Sequence, residues 1–163
     1  MHSTGKVSMI RAVMQMTSED WMRLALEEAE AAGRRGEVPV GCVIVGPDGT
    51  LLARGSNRRE EKQSSLSHAE TEAIETASRA LGAWRLSGCS LYVTLEPCPM
   101  CAGAILNARI ARVYFGARDP AVGACGGVTN LFVEPGGAVP EIRGGILEKE
   151  CAEVLTRFFR GLR

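Results

Sequence analysis

A chain of 163 residues with 45% hydrophobic and 23% charged residues has the make-up of a globular domain that can bury a core, and no stretch of 18 apolar residues occurs that could span a membrane. Nineteen basic residues balance nineteen acidic ones, so bulk charge gives no support to nucleic-acid binding and any such surface must be a local patch. Six cysteines, two of them at a metal-type spacing, read as a reducing, cytoplasmic setting and not as a disulfide framework.

Residues 1–16 lack a consistent period and carry Lys6 and Arg11 without an apolar core or small-residue cleavage site, so they read as a loose N-terminal extension or an overlong start. A short basic leader without acids also resembles an organellar presequence. From residue 17 to 163 a single domain is expected. Thr17 or Ser18 caps a helix running to about Ala32, with Glu19 and Asp20 in its first turn, Met22, Ala25, Leu26 and Ala29 on one stripe, and Gly33 as its stop. Val38 to Val45 is a short β-branched run, Gly46-Pro47-Asp48-Gly49 a turn, and Thr50 to Ser56 a second strand, which makes a hairpin. Asn57 to Ser67 is polar without a period and reads as a loop.

The spacing of Ala69, Ala73, Ile74, Ala77 and Leu81 predicts a helix from His68 to Leu81 that ends at Gly82. Ser90 to Leu95 reads as a strand, Pro99 to Asn107 as a helix and Arg112 to Gly116 as a strand, which implies a parallel crossover. Gly123 to Gly127 is glycine-rich but matches no phosphate-binding pattern. Glu141-Ile142 joins a last strand, and Leu147 to Phe159 forms a closing amphipathic helix.

Chemistry concentrates in Leu95-Glu96-Pro97-Cys98-Pro99-Met100-Cys101 and, some thirty residues earlier, His68-Ala69-Glu70. Two cysteines three apart can offer both sulfurs to one tetrahedral ion, and a position where a strand turns into a helix favours thiolate over thiol. His68 supplies a third ligand, which leaves a fourth position open for water, as in catalytic zinc sites. Glu70 then stands beside the metal as a proton carrier. Residues two apart on a regular helix point about 200° apart, so His68 is expected at the very start, before the backbone becomes regular. Two other readings exist: a redox C-x-x-C pair, and a closed structural zinc site with a fourth ligand from Cys42, Cys89, Cys125 or Cys151.

The combined pattern H-x-E…P-C-x-x-C resembles the signature of zinc-dependent base deaminases. The likeness extends over Glu37-Val38-Pro39-Val40-Gly41, Ser56-Asn57-Arg58, Leu91 to Cys98, Cys101-Ala102-Gly103-Ala104, Phe115-Gly116-Ala117-Arg118-Asp119 and Phe158-Phe159-Arg160, and over these segments the sequence resembles the bacterial tRNA adenosine deaminases. That resemblance implies a three-layer α/β/α cytidine-deaminase-like domain with a central mixed five-stranded sheet. It implies hydrolysis of adenosine to inosine at the wobble position of a tRNA anticodon stem-loop, one Zn2+ per chain on His68, Cys98 and Cys101, Glu70 as catalytic group, and a homodimer. It also implies that Asn57 hydrogen-bonds the base edge and that Asp119 stands at the pocket mouth near the sugar. The bland alternatives are that Asn57 caps a turn and that Asp119 is a turn residue before Pro120. Arg157, Phe159 and Arg160 offer phosphate and stacking contacts, although at least one of Phe158 and Phe159 is expected as the last core contact of the helix. Arg59 stands where many relatives have proline, Ser67 where alanine is usual, and Gly136-Gly137-Ala138-Val139 lacks the relatives' Asn-His pair. A deaminase of a free base such as guanine or cytosine, or a non-catalytic zinc-stabilised RNA-binding subunit, remain the other readings.

Overall fold

The computed structural model describes residues 15–133 and 139–162. Nearly all of the expected N-terminal extension, Gly136 to Ala138, and Arg163 lie outside the described residues.

Helix α1 (Ser18–Arg34) starts at Thr17, whose hydroxyl accepts from the Asp20 N–H at 3.1 Å while the Asp20 carboxylate accepts from the Thr17 N–H at 2.9 Å. Gly33 does not stop it. The helix continues to Arg34, and the left-handed turn falls at Gly36 (φ 84°), which frees the Glu37 N–H to close on the Ala32 carbonyl. Strands β1 (Gly41–Val45) and β2 (Leu51–Ser56) form the expected antiparallel hairpin. Its turn is held by Asp48, which accepts from the Thr50 N–H and hydroxyl at 3.0 and 2.8 Å. The segment read as loop contains a short helix, α2 (Arg59–Lys62), which side chains distant in sequence support, as described below. Then follow α3 (Ala69–Leu81), β3 (Ser90–Leu95), α4 (Pro99–Asn107), β4 (Arg112–Ala117), β5 (Glu141–Arg143) and α5 (Glu148–Gly161).

The strands form one mixed sheet in the order β2-β1-β3-β4-β5, antiparallel from β2 to β3 and parallel from β3 to β5. Because alternate residues face opposite sides, Val43, Val45 and Tyr92 pack under Trp21, Met22 and Ala25 of α1 and Cys151 of α5. Cys42, Ile44, Leu91, Val93, Val113 and Phe115 pack on the other face against Ala69, Ala73 and Ala77 of α3 and Ala102 and Ile105 of α4. Three layers result, with the sheet between two pairs of helices. Both α1 and α3 lie close to the hairpin because it offers them glycine: a Cβ at Gly41 would overlap the Ala25 carbonyl, and one at Gly55 the Ala69 carbonyl.

This topology decides where the chemistry can gather. Strand β2 is antiparallel to β1, and β1 to β3, so β2, β3 and β4 all run the same way. Their carboxyl ends share one rim of the sheet, and the residues that follow them are Asn57, Glu96 to Cys98, and Arg118-Asp119. Crevices outside strand carboxyl ends are the usual ligand sites of α/β sheets.

Candidate active site

His68 is the N-cap of α3, with extended backbone (φ −84°, ψ 161°), as its spacing from Glu70 requires. Cys98 holds the same place on α4 (φ −74°, ψ 172°), followed by Pro99 in the first helical turn, so two helix N-termini converge. His68 Nδ1 lies 3.6 Å from Cys98 Sγ and 3.5 Å from Cys101 Sγ. A tetrahedral zinc with bonds of about 2.3 Å to sulfur and about 2.0 Å to nitrogen needs ligand atoms about 3.5 Å apart, so the donors already have the spacing of a zinc site. Among the described residues these three form the group able to hold a metal, and Cys42, Cys89, Cys125 and Cys151 add no fourth ligand to it. All six cysteines are free thiols.

Of the three donors, Cys98 ionises most readily. The hydrogen bond from Cys101, and then His68, hold the Cys98 thiol down to about 4, while that same bond and burial hold the Cys101 thiol up. His68 is raised above its ordinary value, chiefly by its bond to Cys98. Glu70, 4% exposed, is pushed up by burial. A carboxyl poised in this way beside a metal can both take and return a proton.

The pocket over this cluster is lined by His68, Glu70 and Cys98, by the apolar Val38, Val40, Leu95 and Val122, and by Asn57 and Asp119. Asn57 is buried, and its amide donates to the Val38 carbonyl at 3.2 Å and accepts from the Arg59 N–H at 3.1 Å, so it shapes the turn and lines the pocket at once. Asp119 likewise combines both readings: it lines the pocket, and its carboxylate accepts from the Ala121 and Val122 N–H groups at 2.9 and 3.3 Å. Arg157, Phe159 and Arg160 lie apart, on α5. Phe158 is half-buried in a groove with Pro39, Val154 and Arg157, whereas Phe159 is exposed and meets Phe158 edge-on at 5.4 Å. Arg157 is 3.8 Å from Glu30. Pro39 lies between Val38 and Val40, so this groove adjoins the segment that walls the pocket.

Three residues, two of them buried, escaped the sequence reading of function. Glu37, 2% exposed, accepts from the Glu60 and Glu61 N–H groups at 2.9 Å each and so organises helix α2. The Arg35 guanidinium donates to Ser56 Oγ at 2.8 Å and to the Asn57 carbonyl at 3.2 Å. Glu96, also 2% exposed, binds backbone N–H groups beyond β4. The signal available in the sequence was a charged residue inside an otherwise apolar strand end, as in Leu95-Glu96-Pro97.

The cytidine and deoxycytidylate deaminase zinc-binding region matches residues 15–117. A tRNA-specific adenosine deaminase of Bacillus subtilis is 48% identical over 150 residues, covering 91% of this chain and 92% of the relative. Its counterpart in Agrobacterium fabrum is 49% identical over 144 residues, 88% and 94% of the two chains. A solved structure from work on A-to-I editing by tRNA:A34 deaminases at the wobble position of transfer RNA superposes with a TM-score of 0.79 at 48% identity, covering 83% of this chain and 98% of the other. A guanine deaminase from Bacillus subtilis superposes at 0.62 with 34% identity, over 77% and 83%. The matched region contains all three candidate ligands and Glu70, and the chain belongs to the cytidine and deoxycytidylate deaminase family, alongside the tRNA-specific adenosine deaminases.

Proposed function

We propose that this protein is a zinc-dependent hydrolase that converts adenosine to inosine at the wobble position of a tRNA anticodon, consuming water and releasing ammonia. The observation that carries this reading is the His68, Cys98 and Cys101 set at zinc spacing beside buried Glu70, in a chain close to half identical to tRNA-specific adenosine deaminases. His68 Nδ1 and the two cysteine sulfurs would hold the ion, and a zinc ion bound there supplies an activated water nucleophile at neutral pH. Glu70 takes a proton from the attacking water and passes it to the purine ring nitrogen, then carries the second proton, from the hydroxyl added at the ring carbon, to the amine, which leaves as ammonia as the carbonyl forms. Its burial keeps competing solvent away from that transfer.

Asn57 orients the base through amide positions left after its two backbone bonds, since an amide nitrogen carries two hydrogens and its oxygen two lone pairs. Asp119 receives the sugar at the mouth, and Arg157, Phe159 and Arg160 meet the flanking anticodon nucleotides on the surface next to Pro39. We read residues 17–163 as the single deaminase domain. A homodimer in the cytoplasm fits the six free thiols and the exposed apolar run of Val122, Val128, Leu131 and Val133, which a second copy would cover. Among the described residues no helix is long and apolar enough to cross a membrane.

Ammonia release separates this reading from its rival. An anticodon stem-loop with adenosine at the wobble position should be deaminated in preference to free adenosine, cytidine and guanine; faster turnover of free guanine would favour the free-base reading that the guanine deaminase likeness raises. A protein with no turnover of any of them would be the non-catalytic subunit, a reading against which Glu70 speaks.

A further inference from the structure

We propose that Glu96 is a positioning residue for the substrate: its carboxylate fixes the 119–127 segment against the turn that carries Cys98, so that Asp119 and Val122 stand as one wall of the pocket. Glu96 leaves β3 two residues before Cys98 and is 2% exposed. Its Oε1 accepts from the Asp119 N–H at 3.0 Å, and its Oε2 accepts from the Cys125 and Gly127 N–H groups at 2.9 and 2.8 Å. Among the described residues no arginine or lysine forms an ion pair with it. A buried carboxylate here is satisfied by backbone amides alone, and charge-assisted bonds of this kind are among the stronger ones.

The segment it holds is glycine-rich for the same reason. A Cβ at Gly123 or at Gly127 would run into the Glu96 carboxylate, so these glycines need no phosphate to explain them. The Ala124 N–H donates to the Pro97 carbonyl at 2.8 Å, which ties the segment to the catalytic turn a second time. Volume alone would be served by an apolar side chain or by glutamine. Glutamine, however, offers one acceptor oxygen and an NH2 group, so at least one of the three backbone donors would face another donor. The pocket wall nearest the proposed sugar site would then lose its anchor while Asn57, Glu70 and Asp119 stay as they are, although Glu96 also borders the pocket.

This inference rests on the deaminase reading above. The test compares wild type, Glu96→Gln, Gly127→Ala and the double variant, all loaded with zinc. Amide hydrogen exchange across residues 119–127 should rise about tenfold in each single variant while residues 99–107 and zinc content stay at wild-type values. On the anticodon stem-loop, KM should rise about tenfold with kcat within about threefold, and the double variant should cost no more than the worse single one, because both substitutions break the same contact. A role confined to stability would lower the melting temperature and leave the KM of the folded enzyme untouched. Unchanged exchange, unchanged KM, additive costs or zinc loss in Glu96→Gln would each overturn the proposal. If wild type releases no ammonia from the stem-loop, the deaminase reading fails alone, and the exchange measurement still decides whether Glu96 holds the segment.

Discussion

At the scale of single residues, the site depends on groups that do different things a few ångströms apart. Cys98 and Cys101 belong to the start of α4 and His68 to that of α3, so a metal there cross-links the two helices of one layer. Cys98→Ala or Cys101→Ala should therefore lose bound zinc and lower the melting temperature, and a strong chelator should do the same to wild type. Stoichiometric zinc retained in the double variant, measured by elemental analysis, would remove these cysteines from the metal site. Glu70→Ala should keep zinc yet lose at least about 10²-fold in kcat, since it removes the proton carrier and no ligand. The gathering of His68, Glu70, Cys98 and Cys101 in one place was legible because metal chemistry fixes residue type and spacing. Glu37 and Glu96 were not, because a buried carboxylate that serves only backbone amides leaves no mark in spacing, and its partners lie more than twenty residues away.

At the scale of elements, capping and turn chemistry made most boundaries readable: Thr17 with Asp20, Asp48 in the hairpin, and Gly82 (φ 64°) after α3 all act as local signals suggest. The misread places have two causes. Gly33 looked like a helix stop, but the left-handed turn falls at Gly36 (φ 84°) and the helix runs on to Arg34. Elsewhere distant packing overrides a local cue. Residues 59–62 had no period, and become helical where Glu37 takes up two of their N–H groups. Gly41 and Gly55 read as plain strand residues, although each admits a helix backbone. Gly41→Ala should cost about 1–3 kcal/mol in thermal or denaturant unfolding, because the new methyl must displace α1 from the sheet. An unchanged melting temperature would show that α1 can shift without loss.

Across the whole molecule, zero net charge leaves the proposed RNA binding to local surfaces, which differ in how their basic groups are paired. Arg58, Arg59 and Lys62 each lie against an acid, namely Glu61, Glu60 at 3.5 Å and Glu72 at 2.9 Å, so each carries a partner already. Arg157 pairs with Glu30 at 3.8 Å between largely exposed side chains, a contact that phosphate can replace at little cost. Arg157→Ala with Arg160→Ala should weaken stem-loop binding and flatten its salt dependence by up to about two phosphate contacts, with zinc content unchanged. The account as a whole stands most directly on one measurement: inosine formed in a wobble-adenosine stem-loop, followed beside ammonia release from free adenosine and guanine, with zinc-loaded wild type and Glu70→Ala. The account predicts one inosine per ammonia from the stem-loop, little turnover of the free compounds, and loss of both products in the variant. Equal or faster turnover of free guanine, or inosine formation that survives Glu70→Ala, would contradict it.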